Sequence, residues 1–432
     1  MVLSAELSDR LTQVGPGTPM GTLLRRYWHP IAPVGEMVTT RVKPVRVLGE
    51  DLVLFRTAEG SHGLVSRSCP HRGADLSYGW VEGSALRCMY HGWAFDGSGA
   101  CVAQPFEETI APGSRFKASV RVTAYETATL GGLVWAYLGP APAPPPPLYE
   151  PFQWDRGFVQ VVFSEIPCNW FHCHENSVDP VHFEWLHING TEAARNPDTP
   201  ACGPTHTGIT FDEFEHGIVA TRRTDTRVRR SDLYVNGRPQ ETGLLSLWPN
   251  ALFVGNHFEW RVPVDDTHTM NITWWYSPKP KDIPGPGPNP VPYWYGPIAD
   301  PDTGRWITTY PMNQDIASWL GQGVAVDRTR ERLGRSDVGI IQLRQMFLRE
   351  LDRLERGECL VGLESDRKLG DVIRLPIGDT TRLTEGIDRV VFESDLQRKR
   401  NRLGDGQHYS FQAGQPEWVQ RLYEEHMGIA SP

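Results

Sequence analysis

Two short segments of the sequence each carry one cysteine and one histidine. Cys69 and His71 stand on either side of a proline, and Cys88 and His91 follow after a gap of sixteen residues. Two thiolates and two imidazoles suit either a tetrahedral zinc ion or a [2Fe–2S] cluster in which one iron takes both cysteines and the other both histidines. A zinc finger usually takes its two histidines from one helix. Because each segment here supplies one ligand of each kind, the spacing favours the cluster.

A second stretch, NWFHCHENSVDPVHFEWLHING at residues 169–190, carries further side chains of types that can bind a metal. His182 and His187 are five residues apart. On an ideal α-helix such residues are rotated by roughly 140° from each other, so they share a face only if the helix bends or ends between them. Two histidines and one carboxylate form the facial triad of non-haem Fe(II) oxygenases, which leaves positions open for O₂. His172 and His174 compete with this pair by residue type.

Both metal motifs resemble those of the Rieske non-haem iron ring-hydroxylating oxygenases. CPHRGADLSYG and CMYHGWAFDGSG are similar to the Rieske domain of that family, and the second stretch is similar to its mononuclear iron motif, which here reads Glu175, Asn176, Asp179, His182 and His187. Rieske proteins of respiratory complexes are also similar, but they carry an additional cysteine in each loop and a membrane anchor.

The branch of the family is indicated by three further segments. LTQVGPGTPMGTLLRRYWHP at residues 11–30 and the stretch around Asp315 resemble the phthalate-dioxygenase branch, whose aspartate ligand falls at the position of Asp315. The stretch from Trp248 to 277 resembles the O-demethylases of lignin-derived biaryls in that branch. Asp300, Asp302 and Asp327 are the alternatives to Asp315 as the third ligand.

The resemblance implies two cofactors and a division of roles among the residues. Cys69, His71, Cys88 and His91 would hold a Rieske [2Fe–2S] cluster, and His182, His187 and Asp315 a mononuclear Fe(II). The expected catalytic residues are Asp179, Asn176 and Glu175. In the family an aspartate joins the cluster histidine of one subunit to the iron histidine of its neighbour in a homotrimer or a multiple of trimers, and Asp179 stands at that position. Asp179 followed by Pro180 also fits a plain helix start.

Electrons must come from another protein. The sequence holds no Gly-rich strand-turn-helix fingerprint for a nucleotide, so the expected partner is a separate NAD(P)H-dependent reductase, a ferredoxin, or both. The surface near His71 and His91 is the expected docking face.

The fold class expected is α+β. Residues 1–40 are predicted as an N-terminal helical segment, 41–139 as an all-β Rieske [2Fe–2S] domain, 140–151 as a proline-rich linker, and 152–432 as a catalytic domain with a curved antiparallel sheet flanked by helices. The linker follows from the run PAPAPPPP, which forms no ladder hydrogen bonds.

Composition excludes several classes of protein. A formal charge of −9 with scattered lysines and arginines favours neither nucleic acid nor an anionic membrane. We expect no membrane partner, because no stretch approaches eighteen apolar residues. Seven cysteines argue for reduced thiols rather than a disulfide framework, and we expect a cytoplasmic protein.

The expected reaction is oxidation of a small, carboxylated aromatic compound with O₂, and the sequence favours O-demethylation of a methoxylated lignin-derived aromatic acid. Cis-dihydroxylation of an aromatic carboxylate is the alternative. Arg261 is a candidate carboxylate clamp, and some of six aromatic residues are expected to line the pocket: Trp248, Phe253, Phe258, Trp260, Trp274 and Trp275.

Two hypotheses belong to other classes of protein. A Rieske electron carrier or redox sensor would lack the catalytic iron, and a zinc-stabilised β-domain would be colourless. The presence of His182, His187 and Asp315 argues against the carrier.

Two helices are predicted in the C-terminal third. Ser336 and Asp337 are predicted to cap a helix that stops at Gly357. A closing helix at 416–427 is predicted to turn Trp418, Leu422 and Tyr423 inward.

Overall fold

Apolar residues that alternate with polar ones over short spans form strands throughout the first third of the chain. The computed structural model describes residues 3–196, 198, 200, 206–224, 234–235, 238–239, 242–363, 366–403 and 409–429. The strands are β1 Trp28–Pro33, β2 Val42–Val47, β3 Glu50–Arg56, β4 His62–Ser66, β5 Trp80–Glu82, β6 Ala85–Arg87, β7 Ala94–Asp96, β8 Cys101–Ala103, β9 Ala124–Leu130, β10 Leu133–Tyr137, β11 Gly157–Ile166, β12 His206–Phe214, β13 Gly217–Thr224, β14 Tyr234–Val235, β15 Arg238–Pro239, β16 Thr242–Leu247, β17 Ala251–Val254, β18 His257–Pro263, β19 Thr269–Pro278 and β20 Tyr293–Tyr295.

Helices are concentrated at the N-terminus and in the last third of the described chain. They are α1 Ala5–Thr12, α2 Pro19–Leu24, α3 Val34–Thr40, α4 Pro105–Ile110, α5 Trp170–Glu175, α6 Thr191–Arg195, α7 Pro311–Gly321, α8 Val338–Arg356, α9 Thr381–Thr384, α10 Arg389–Leu403 and α11 Glu417–Met427. None of the helices in the described ranges is both long and apolar enough to cross a lipid bilayer.

Two sheets make up the N-terminal part. A six-stranded sheet has the order β1-β10-β9-β4-β3-β2, and a four-stranded sheet has the order β5-β6-β7-β8. The all-β domain expected at the N-terminus is therefore confirmed. The segment 1–40, predicted as helical, also contains β1, which pairs with β10 from Trp28 to Pro33. The domain boundaries themselves stay a prediction.

An eight-stranded sheet forms the centre of the C-terminal part. Its order is β12-β13-β16-β17-β18-β19-β11-β20. Neighbours are antiparallel except β20, which runs parallel to β11. β11 and β19 pair over ten residues, from Gly157 opposite Pro278 to Ile166 opposite Thr269. With the helices that accompany this sheet, the expected α+β class is confirmed.

One continuous apolar core joins the six-stranded sheet to the eight-stranded sheet. The Trp135 ring on β10 meets Trp260 on β18 edge to face, with ring centroids 5.4 Å apart. Phe152, just after the proline-rich linker, packs against Phe258 with ring centroids 5.3 Å apart. Aromatic pairs of this kind stabilise beyond their buried area, so the two sheets are held as neighbours by their largest side chains.

Helix α8 begins and ends where the sequence predicts. It spans Val338–Arg356 and stops at Gly357, whose φ of 69° lies in the left-handed region. Leu343, Phe347 and Leu351 are buried on its inward face. The Asp337 side chain accepts from the Gly334 N–H at the preceding turn, and it forms no cap on α8 itself.

The closing helix α11 faces inward along Val419, Tyr423 and Met427. Trp418 is 47% exposed, so its predicted inward position is wrong. Residues four apart share a helix face, whereas Trp418 is displaced from Val419 by one residue, about 100° of rotation.

Candidate metal centres

The two cysteine-histidine segments are loops with the same backbone hydrogen bonds. In each, the cysteine N–H donates to the carbonyl five residues later, at 2.8 Å in both cases. The carbonyl of Cys69 accepts from Gly73 at 2.8 Å, and that of Cys88 accepts from Gly92 at 3.0 Å. Both glycines have positive φ values, 75° and 73°, which residues with a Cβ adopt only with strain. The repeated glycine spacing therefore gives two matching loops.

The loops bring the four predicted cluster ligands together. The thiols of Cys69 and Cys88 contact each other and are buried. The rings of His71 and His91 lie 4.4 Å apart by centroid. Trp93 stacks on the His71 ring at 4.3 Å with an interplanar angle of 8°. His91 is exposed, so the imidazole end of this site faces the surface.

This donor set fits a Rieske cluster. Nδ1 of His71 is buried and has no hydrogen-bond partner among the described residues, as expected for an atom that needs a metal. Two buried thiols with two imidazoles nearer the surface match the two Cys and two His ligands of such a cluster. An electron held there would be accessible through the exposed imidazole.

The second histidine pair is brought to one side by an unusual helix. Residues Phe183–Gly190 form a π-helix, with His182 at its N-terminal flank. A π-helix has i→i+5 hydrogen bonds and is wider than an α-helix, so residues five apart are rotated less from each other than on an α-helix. The rings of His182 and His187 are 5.1 Å apart by centroid. The wider helix therefore lets both rings reach the same site.

Asp315 on α7 completes a group of three. Its two carboxylate oxygens lie 3.5 Å from Nε2 of His182 and 3.3 Å from Nε2 of His187. The three ligand atoms all fall within 4.8 Å of one another. Burial lowers the pKa of His182, which keeps the ring neutral as metal binding requires. The set fits a 2-His-1-carboxylate iron site.

Two side-chain amides contact residues of this triad. Gln314 Oε1 accepts from Nδ1–H of His187 at 2.9 Å, and its amide nitrogen donates to Thr191 at 2.9 Å. This contact fixes the His187 tautomer and directs Nε2 toward Asp315. The amide of Asn176, one of the predicted catalytic residues, donates to Asp315 Oδ1 at 3.3 Å.

Asp179 lies beside the triad without joining it. Its Oδ2 is 3.8 Å from Nδ1 of His182, longer than a hydrogen bond. Its Oδ1 accepts from the Val181 N–H at 3.0 Å, so the local turn also uses this carboxylate. Asp179 is partly exposed, which leaves the carboxylate accessible to a second protein chain.

Glu175, the third predicted catalytic residue, is held by two arginines. Its carboxylate oxygens lie 2.8 Å from Arg328 Nη2 and 2.6 Å from Arg344 Nε, and all three side chains are buried. Burial opposes ionisation of Glu175, but the attraction of both guanidinium groups outweighs it and lowers the pKa of the carboxyl. Glu175 therefore joins α5 to α8 and lies one residue before Asn176.

The competing ligands lie elsewhere. Asp300 and Asp327 bind their own turns through neighbouring threonines. His174 is fully buried, and burial lowers its pKa to about 3; its Nδ1 lies 3.4 Å from the Ser177 hydroxyl. His172 belongs to a separate group of side chains with two cysteines.

Arg261 is unavailable as a carboxylate clamp. It is completely buried, lies 2.5 Å from the Glu259 carboxylate and stacks over Trp319 at 5.2 Å. Five of the six aromatic residues considered for the pocket belong to the core that joins the two large sheets: Trp248, Phe253, Phe258, Trp260 and Trp274. Their hydrophobicity indicated burial but not which face of the sheet they occupy.

Two residues near the triad, Gln314 and Arg222, were not predicted from the sequence to lie there. Gln314 precedes the predicted ligand Asp315 on the same helix, and that adjacency was the available signal. Arg222 lies on β13 in a stretch of charged residues, and nothing in its local sequence marks it as buried.

Comparisons with known proteins agree with this geometry. The Rieske [2Fe-2S] domain model matches residues 27–122, and the model for a LigXa C-terminal domain like region matches residues 302–373. The chain is 45% identical over 431 residues to the 5,5'-dehydrodivanillate O-demethylase oxygenase subunit of Sphingobium sp. (strain NBRC 103272 / SYK-6), covering 99% of this chain and 98% of that relative. It is 32% identical to the phthalate 4,5-dioxygenase oxygenase subunit of Pseudomonas putida, covering 84% and 89%.

A solved structure with the same fold is the oxygenase and ferredoxin complex of carbazole 1,9a-dioxygenase. The TM-score is 0.53 at 19% identity, with 80% of this chain and 96% of that chain covered. The cluster loops, the triad and these matches define one class, and the chain belongs to the Rieske non-haem iron oxygenases.

Within that class the chain falls in the branch that contains the phthalate dioxygenases and the lignin-biaryl O-demethylases. It is an oxidoreductase, a terminal oxygenase that uses O₂ and electrons from a separate protein. The cofactors of this class are a Rieske [2Fe–2S] cluster and a mononuclear iron.

Proposed function

We propose that this oxygenase removes the methyl group from a methoxylated aromatic acid of lignin origin. In this proposal Cys69, His71, Cys88 and His91 hold the cluster, and His182, His187 and Asp315 hold the iron. The observation that carries the substrate class is Arg222, a buried cation beside the triad.

Arg222 packs against Phe183, whose ring lies between the guanidinium and the triad. Its guanidinium is 4.9 Å from the centre of the Phe183 ring. That ring is 4.6 Å from His182 and 5.3 Å from His187 by centroid. The residue is 3% exposed. Arg222 therefore lies within the length of a small aromatic molecule from the metal ligands.

The charge of Arg222 lacks a counterion in the described part of the chain. Nε of Arg222 is buried without a hydrogen-bond partner there, and burial lowers its pKa to about 10. Burying a cation is costly unless it is paired. A substrate carboxylate would supply that pair through charge-assisted hydrogen bonds.

The surroundings suit the aromatic body of such a substrate. Four buried side chains from three neighbouring strands form an apolar cluster, with Phe183 and Phe211 packed against it: Ala220, Leu244, Leu252 and Val254. A ring placed on this surface would have its carboxylate at Arg222 and its substituents toward the triad.

The overall reaction balances with two electrons from the partner. ArOCH₃, O₂, two electrons and two protons give a hemiacetal and water, and the hemiacetal C–O bond breaks to release ArOH and formaldehyde. Bound iron would supply the oxygen chemistry. Arg222 orients the substrate, and Gln314 fixes the tautomer of His187. Burial keeps the His182 ring neutral, as iron binding requires.

Electron delivery in this proposal involves other chains. A ferredoxin or an NAD(P)H-dependent reductase docks near His71 and His91, and the cluster of one subunit serves the iron of its neighbour in a trimer through Asp179. The partial exposure of Asp179 and of His91 supports this arrangement. A cytoplasmic location stays a prediction.

The test replaces Arg222 with methionine and supplies electrons from a surrogate reductase. The substrates are a methoxylated aromatic acid and its analogue without the carboxylate. Losing a hydrogen bond to a charged group costs about 1.5–3 kcal/mol, which corresponds to a fall of roughly 10- to 150-fold in kcat/KM for the acid. The analogue should be oxidised equally by both proteins.

Arg223→Met is the matched control, because Arg223 is the next residue on β13 and is exposed. It should retain wild-type kcat/KM. Formaldehyde in equal amount to the phenol supports O-demethylation, whereas a cis-diol without formaldehyde refutes it. Equal loss of activity toward the acid and the analogue in Arg222→Met would refute the carboxylate contact.

A further inference from the structure

Three potential metal ligands lie together outside both iron centres. Cys168 follows strand β11, and His172 and Cys173 are on helix α5. The two Sγ atoms are 3.5 Å apart, and one ligand atom from each of the three residues lies within 4.8 Å of the other two. Spacings of four and five residues bring the groups together because the chain turns at Asn169, which caps α5 by accepting from the Phe171 N–H.

The His172 ring is buried beside the Cys168 thiol. The residue is 2% exposed, and neither ring nitrogen makes a well-aligned hydrogen bond within the described residues. An unsatisfied buried polar group costs about 1–3 kcal/mol. A cation bound at the thiols would satisfy one of these two nitrogens.

The surroundings are buried and apolar. The two cysteines pack in a cluster with four large buried side chains: Ile166, Met312, Ile316 and Trp319. The Thr269 hydroxyl donates to the Cys168 carbonyl at 2.8 Å and is a further oxygen donor at this place. Structural zinc sites are closed and have four ligands, so a metal held by these three side chains would take the Thr269 hydroxyl, which contacts Cys173, as its fourth donor.

We propose that Cys168, His172 and Cys173 form a structural zinc site separate from the two iron centres. Soft thiolate ligands with an imidazole select Zn²⁺ over the hard cations. Two thiolates also balance the charge of Zn²⁺, which removes the cost of burying a net charge in this pocket. The site would fasten the end of β11 to α5, the helix that leads to Asn176.

The experiment measures zinc in the full-length, iron-loaded protein. The protein is incubated with Zn²⁺, desalted, and analysed for zinc and iron by mass spectrometry and for zinc ligands by X-ray absorption at the zinc edge, where iron does not interfere. We expect about one zinc per chain with two Zn–S contacts near 2.3 Å. Zinc in the oxygenase iron site would instead show only nitrogen and oxygen neighbours. Zinc at Cys69, His71, Cys88 and His91 would replace the cluster, so it would lower the iron content by two per chain and remove the Rieske signal.

Cys168→Ser and His172→Gln should lose the bound zinc while the Rieske signal in electron paramagnetic resonance shows that the chain is folded. Cys359→Ser is the matched control, because Cys359 is an exposed cysteine, and it should retain zinc. If the ligand variants fail to fold, the wild-type absorption spectrum decides alone. Wild-type protein that retains no zinc, zinc without sulfur neighbours, or a Cys168–Cys173 disulfide in the purified protein would each overturn the proposal.

Discussion

Replacement of Glu175 by glutamine should destabilise the protein strongly without changing the chemistry at the iron. Glutamine keeps the size of the side chain but removes the charge that Arg328 and Arg344 both face. Removing one partner of a buried ion pair costs about 3–5 kcal/mol, because the remaining charge is left uncompensated. Arg344 keeps its second partner, Glu331, at 2.7 Å, so Arg328 bears most of this loss.

The size of the effect can be compared with an exposed pair in the same protein. Arg349 and Glu213 lie 2.6 Å apart with side chains 41% and 38% exposed, and such pairs contribute about 0–1 kcal/mol. One kcal/mol shifts the midpoint of thermal unfolding by about 2–4 °C for a domain of 150–250 residues. Glu175→Gln should therefore lower the midpoint by at least roughly 6 °C, and Glu213→Gln by roughly 4 °C or less.

The assay is thermal unfolding at a fixed scan rate, with activity per bound iron measured well below the transition. Adding Arg328→Met to Glu175→Gln should recover part of the lost stability, because the uncompensated charge is then removed as well. A midpoint no lower than that of Glu213→Gln would contradict the argument. So would a normal midpoint with activity per iron lost, since Glu175 would then act at the reaction centre.

Three further predictions concern single residues. Gln314→Leu removes the acceptor for Nδ1–H of His187 and should weaken iron binding by about 10- to 100-fold, measured in competition with a chelator. Gln314→Glu keeps the acceptor and should bind iron normally. Equal iron affinities for the leucine variant and the wild type would refute the role of Gln314 in orienting His187. Asp179→Ala should keep both metals yet give little product in a single turnover from a pre-reduced cluster. A normal product yield would refute the role of Asp179 in joining the cluster to the iron. Burial lowers the pKa of His29 to about 4, whereas the unfolded chain binds the proton near pH 6.5. The free energy of unfolding is therefore unaffected by His29 above pH 6.5. It decreases as the pH falls from 6.5 to 4, by up to about 1.4 kcal/mol per pH unit. His29→Gln should flatten the dependence of the unfolding midpoint on pH over that range, and parallel curves for the two proteins would contradict this.

The sequence alone determined what depends on local spacing. Cys69 and Cys88 each precede a glycine by four residues, and the positive φ of those glycines closes matching loops. Residue type and separation were therefore enough to favour the cluster over zinc, and the resemblance of the two motifs indicated the class of protein. The same holds for α8, whose apolar period and terminal Gly357 are local signals.

Tertiary structure decided which distant side chains meet. Asp315 is more than a hundred residues from His187, and only the packing of α7 against the π-helix brings them together, while Asp300 and Asp327 stay in their own turns. The π-helix itself resolved the rotation between the two histidines.

Burial of charge was also decided by the fold. Arg261 and Arg222 are both basic residues in strands, yet one is neutralised by Glu259 and the other lies unpaired among the described residues beside Phe183. Sequence gives the charge of a side chain, but the free energy of that charge depends on which groups surround it after folding. For this reason the proposed metal ligands could largely be predicted from the sequence, whereas Arg222, the residue proposed to bind the substrate carboxylate, could not.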